Sequence, residues 1–151
     1  MHRDPLDVLS ECAEQLGYLT PIEPGPAPTA SAMELVVAVD FSGACRGVIY
    51  LGMGTGLARQ LAINMLGCPE RSQIAEETAC EAAQELVNVV AGNVLPLVYG
   101  GDAEFRIGAP RRAAFPEGPS RCCASLRTEE GMLALVVVGE SLAVQPVGGR
   151  R

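Results

Sequence analysis

From Ala79 to Leu97 the apolar residues of this chain recur at intervals of three and four: Ala79, Ala82, Ala83, Leu86, Val90, Val94 and Leu97. Stepping about 100° per residue, they fall on one side of a helix. A stripe of that length predicts one long helix laid against a broad apolar surface, and the rest of the chain has to supply that surface. Ser72 is the expected N-cap, Glu76 and Glu77 favour the positive end, and Pro96 sits in the last, fraying turn. The helix is therefore expected to run to about Leu97.

The surface is expected from strands. Met33–Asp40 and Arg46–Gly52 are rich in Val, Ile and Tyr and are joined by F-S-G-A-C, a glycine-containing turn signal, so they read as a hairpin. Ala103–Ile107, Arg121–Arg127 and Met132–Glu140 are also strand-like, the last two linked by a turn over 127–131. Two further helices are expected. One lies in Asp4–Gly17, with Leu6, Leu9, Ala13 and Leu16 on one stripe; the other is Thr55–Leu66, stopped by Gly67. Thr20–Ala32 and Ala109–Ser120 are broken by prolines and read as loops, and the tail 145–151 reads as flexible. The order is helix, two strands, two helices and three strands. That predicts one α/β (α+β) domain over 1–151: a mostly antiparallel sheet with long helices packed on one face.

Composition narrows the chemistry. All eleven basic residues are Arg, so neither Schiff-base chemistry nor a Walker-A lysine is available, and a net charge of −7 argues against nucleic acid. The only histidine is His2, which leaves no internal Ser-His or Cys-His pair. The six cysteines form no C-x-x-C pair and sit among Ala and Val, so they read as small core residues rather than metal ligands. No metal site of its own is expected. The longest apolar run, Met132–Val138, is too short for a membrane span, and no secretory signal is visible, so a cytoplasmic protein is expected. Gly52–Gly56 follows a strand and opens a helix, but Leu57 occupies the third-glycine position of a dinucleotide loop; a plain strand-to-helix turn is the better reading.

Opposite the apolar stripe of the long helix lie Glu81, Glu85, Asn88 and Gly92, at steps of four, three and four. Asn is a weak helix former and Gly costs about 1 kcal/mol against Ala, so local stability recommends neither in mid-helix. Gly92 leaves bare backbone beside Asn88, where a partner could approach closely.

The run E-L-V-N-V-V-A-G in a long helix, preceded by strands ending G-V-I-Y-L-G-M and a short helix ending N-M-L-G, resembles the CheX/CheC family. Its members are phosphatases of the chemotaxis response regulator CheY. The likeness spans about 33–140, and its specific part is Glu-x-x-Asn, here Glu85 and Asn88. It implies that Asn88 enters the partner's phosphorylation site and orients a water for in-line attack on a phospho-aspartate. It implies that Glu85 pairs with a receiver lysine, with Glu81 and Gly92 as further partner-binding positions, and that Mg²⁺ comes with the receiver domain. Glu81 stands where the family tends to have Asp or Ser, and Pro110 lies close to, but not on, a position where it tends to have Pro. The second Glu-x-x-Asn centre of CheC-type members is absent, since Glu14 is followed at the third position by Gly17. A single-site, CheX-like homodimer formed by strand pairing is the expectation. The alternative is a non-catalytic module of the same fold that docks a signalling partner.

Overall fold

The computed structural model describes residues 3–67, 74–116 and 122–139. Its helices are α1 (Pro5–Gln15), α2 (Thr55–Leu66) and α3 (Glu76–Tyr99). Its strands are β1 (Pro21–Pro24), β2 (Leu35–Gly43), β3 (Gly47–Met53), β4 (Phe105–Ile107), β5 (Arg111–Arg112), β6 (Cys122–Thr128) and β7 (Gly131–Gly139). The strands form one sheet in the order β1-β6-β7-β3-β2-β4, with β5 also pairing with β2, and every pair is antiparallel.

Period-two alternation decides which side of the sheet carries the helices. Leu35, Val37, Val39 and Phe41 of β2, Ile49, Leu51 and Met53 of β3, and Leu133, Leu135 and Val137 of β7 share one core with all three helices. On the other face Val36 and Ala134 join Met33 in a small cluster against Phe115. The expected α/β architecture, with helices on one face, is what the chain adopts.

Local chemistry explains where the elements begin and end. Asp4 caps α1, its carboxylate accepting from the Asp7 amide while Asp7 accepts from the Asp4 amide. Gly67 closes α2 with φ 73°, a conformation that suits glycine. Between β6 and β7 the Thr128 hydroxyl donates to the Gly131 carbonyl and accepts from the Glu130 and Gly131 amides, while Gly131 takes φ 143°.

The N-cap of α2, Gly54, has no side chain to offer, and Glu34, just before β2, replaces it. The Glu34 carboxylate accepts from the Thr55 amide (2.9 Å) and the Thr55 hydroxyl (3.2 Å). The Thr55 amide bond, followed by the hydroxyl bond, lowers the Glu34 pKa. A carboxyl lowered on folding stabilises above its unfolded pKa, and that contribution is lost as pH falls through the folded value. Glu34→Gln is therefore expected to melt below wild type at neutral pH, with the gap closing on acidification. Thermal melts across that range check this.

Several sequence expectations are corrected. Thr20–Ala32 is not all loop: Pro21–Pro24 pairs with β6, and Ala30–Ala32 makes a 3-10 turn. Proline is tolerated in β1 because it is an edge strand, where a missing N–H breaks no ladder. Ala109–Ser120 contains β5, which pairs Arg111 and Arg112 with Ala38 and Val37. Both arginines are solvent-exposed but not idle: Arg111 pairs with Asp40 (3.3 Å) and Arg112 with Glu76. The first turn moves, because Phe41–Gly43 stays in β2 to pair with β4. Helix α3 starts at Glu76 after Ala75; Ser72, the expected cap, lies outside the described residues, as do His2, Cys68, Glu140 and the tail 145–151. Leu97, expected in the core, is 38% exposed, and Leu95 is buried in its place.

Leu97 lies past the last of the buried pairs that recur along α3, Ala79/Cys80, Ala82/Ala83, Leu86/Val87, Val90/Ala91 and Val94/Leu95, in the final turn of the helix. There Tyr99 packs on Phe41 and Phe105, with ring centroids 5.7 and 5.3 Å away. A helical wheel assigns Leu97 to the stripe by angle alone, whereas burial also requires core beneath the last turn.

Candidate functional site

Glu81, Glu85, Asn88 and Gly92 are all exposed and form one stripe along α3. Beneath them Leu86, Val87, Val90 and Ala91 are fully buried, so the stripe stands on a face of the helix anchored in the core. A side chain on such a helix is held by a rigid base.

The hydrogen bonding of three helical asparagines differs. Asn64 of α2 donates to the Gly17 carbonyl (2.9 Å) and accepts from Gln60 (3.1 Å), which ties α2 to the end of α1. Asn93 donates to the Val89 carbonyl of its own helix (2.8 Å). Asn88 forms no side-chain hydrogen bond among the described residues, and Glu81 and Glu85 form no ion pair there. The amide of Asn88 and the carboxylate of Glu85 are thus fully available to an outside partner.

Gly92 completes the stripe. A Cβ placed there would meet nothing within 4 Å, so nothing inside the molecule requires glycine. Pro96, four residues on, has no N–H to give the Gly92 carbonyl, which leaves that oxygen with spare acceptor capacity on the exposed face. Gly92→Ala is expected to raise stability by about 1 kcal/mol through helix propensity. If a partner uses the bare backbone, the same change weakens its binding; denaturation and partner titration read the two effects separately.

Other candidates take ordinary roles. Glu11 pairs with Arg3 (2.5 Å), and Glu14 lies apart on exposed α1 surface. Cys12 and Cys80 are buried, and desolvation raises both thiol pKa values, which makes them poor nucleophiles. Gly54 of the Gly52–Gly56 segment is simply the cap of α2. Among the described residues no group of three or more His, Cys, Asp or Glu is arranged to hold a metal ion, and no helix is long and apolar enough to cross a membrane. A cavity of about 600 Å³ lies at the β2–β4 end, lined by Ser42, Gly43, Asp102, Glu104 and Arg106, away from the stripe. Sequence reasoning missed Val89, which is 41% exposed beside Asn88. Its spacing of four from Glu85 was the available signal.

Comparison with known proteins bears on what this convex face does. No curated protein sequence matches the chain. Among solved structures it is similar to a chemotaxis protein CheX from Desulfovibrio desulfuricans (16% identity, TM-score 0.68, covering 90% of this chain and 96% of that one). It is similar to CheX from Vibrio vulnificus (19%, TM-score 0.67, 90% and 93%). It is also similar to a chain of the CheX–CheY–BeF3–Mg²⁺ complex from Borrelia burgdorferi (17%, TM-score 0.68, 90% and 95%). These likenesses establish the fold. The family model for the chemotaxis phosphatase CheX matches residues 35–117, more than half the chain and including the whole Glu81–Gly92 stripe, and the protein belongs to the CheX family.

Proposed function

We propose that this protein is a cytoplasmic phosphatase of a phosphorylated CheY-like receiver domain, with Glu85 and Asn88 as its working pair. The observation that carries the reading is Asn88: an exposed amide with no hydrogen-bond partner among the described residues, on a helix whose opposite side is buried. The CheX–CheY complex from Borrelia burgdorferi supports the class of partner.

Phosphoryl transfer needs positioning and charge stabilisation more than covalent chemistry from the protein. A side-chain amide can accept a hydrogen bond from a water through its oxygen and donate one to a phosphoryl oxygen through its NH2 at once. Held on a helix that reaches into the receiver's site, it places the water in line with the phosphorus–oxygen bond. Glu85, three residues earlier on the same face, meets a cation of the receiver and fixes the register in which Asn88 enters. Glu81 and Gly92 extend the contact above and below. Mg²⁺, bound by the receiver, neutralises the charge on the phosphoryl group. This arrangement explains why the chemistry lies on a convex surface: the partner brings the concave half.

A second reading, a docking module without catalysis, is favoured by Glu81 at a position where the family tends to have Asp or Ser. The experiment that separates them follows phosphate release and binding together. The phosphatase reading expects a receiver phosphorylated from acetyl phosphate to lose its phosphate faster as the chain is added. Binding without faster loss would overturn it in favour of the docking module. Light scattering reports whether the CheX-like homodimer, joined by strand pairing, forms in solution.

A further inference from the structure

Two residues on a convex helix cannot by themselves make a specific complex. A stable interface buries about 800 Å² on each partner, with its energy concentrated in a few side chains that fill pockets. The structure holds such a pocket one residue beyond Asn88. Helices α1 and α3 leave a cleft of about 270 Å³ between them. Val89 and Asn93 form one wall, Cys12 and Leu16 the other, and the Arg3–Glu11 ion pair closes one end. Val89 is 41% exposed although it is apolar and lies between Asn88 and a fully buried Val90.

Apart from Arg3, which is paired with Glu11, the charged residues of the two helices beside this cleft are acidic. Helix α1 carries Asp7, Glu11 and Glu14, and α3 carries Glu76, Glu77, Glu81 and Glu85; neither helix contains a basic residue. Arg3 is drawn to Glu11 and Arg112 to Glu76, which leaves Glu81 and Glu85 without an ion pair among the described residues, Glu85 one helical turn before Val89. The slot has an apolar wall of Val89, Leu16 and Cys12, the polar Gln15 and Asn93 beside it, and an acidic edge at Glu85. Its complement is an apolar side chain flanked by basic residues.

We infer that the α1–α3 cleft is the second anchor for the receiver domain, taking one apolar side chain that stands among basic residues on the receiver's surface. Val89 and Asn93 then decide which receivers are admitted, without touching the reacting atoms. This rests on the reading of the protein as a receiver phosphatase. The acidic edge speeds encounter, and the filled slot slows dissociation.

The test uses Val89→Arg and Asn93→Arg, each placing a bulky cation at the cleft. Both positions are solvent-exposed and Arg is a good helix former, so the fold is expected to persist, which a melting curve checks. Affinity is measured for CheY-like receivers held active by beryllofluoride and Mg²⁺, and KM and kcat for their phosphorylated forms. Each variant is expected to raise Kd and KM about tenfold or more, with kcat at saturation within about twofold of wild type. Unchanged Kd and KM in both variants would overturn the inference while leaving the phosphatase reading standing. If wild type binds a receiver but releases no phosphate, the phosphatase reading falls, and the Kd comparison still decides the cleft. If wild type binds no receiver, both fall.

Discussion

Asn88→Ala is expected to slow phosphate release from a phosphorylated receiver by about a hundredfold or more, the scale on which removal of one positioned polar group acts on a transition state. The same change is expected to leave the fold intact and stability equal or slightly raised. Asn88 is exposed, has no internal hydrogen bond among the described residues, and yields to Ala, a better helix former. Loss of activity with gain of stability is the signature of a residue kept for its action on another molecule. A residue needed for folding would move both quantities downward. Denaturant unfolding beside a phosphate-release assay reads the two together.

Leu86→Ala should do the reverse. Leu86 is fully buried next to Glu85 in sequence but on the opposite side of α3, where it meets the common core. Removing three carbons there costs about 2–5 kcal/mol, counting lost transfer energy and the cavity left behind. Against a total stability of about 5–15 kcal/mol, that is a large fraction. Urea unfolding should show the midpoint fall with little change in slope, and activity should fall only as far as the folded fraction does. A stability loss under about 1 kcal/mol would mean that α3 is not anchored as described.

The two substitutions lie two residues apart, and the contrast between them was legible in the sequence. A 3.6-residue period places Leu86 and Asn88 on different faces of any helix that contains both. The β2–β3 hairpin was legible for a similar reason, since V-V-A-V and G-V-I-Y-L fit a pleated, half-buried surface. What the sequence hid is equally physical. β1 is bounded by Pro21 and Pro24, and proline reads as a loop unless the strand is known to lie at an edge. β5 is two arginines between prolines, and its strand character comes only from the backbone of β2 beside it. Leu97 lay on the right face of an ideal wheel, but it falls in the final turn, past the last buried pair Val94/Leu95. The cleft beside Val89 depends on the distance between α1 and α3, which no periodicity encodes.

The stripe itself is where sequence and structure agree most closely. Glu81, Glu85, Asn88 and Gly92 were expected on the side opposite the core, and all four are exposed there. Their placement is a property of this chain.

The most direct measurement is the decay of a phosphorylated CheY-like receiver under single-turnover conditions, followed over rising concentrations of this protein. The account predicts a rate that climbs with concentration and saturates well above the receiver's own decay. A receiver that binds the protein yet decays at its own rate at every concentration would contradict it.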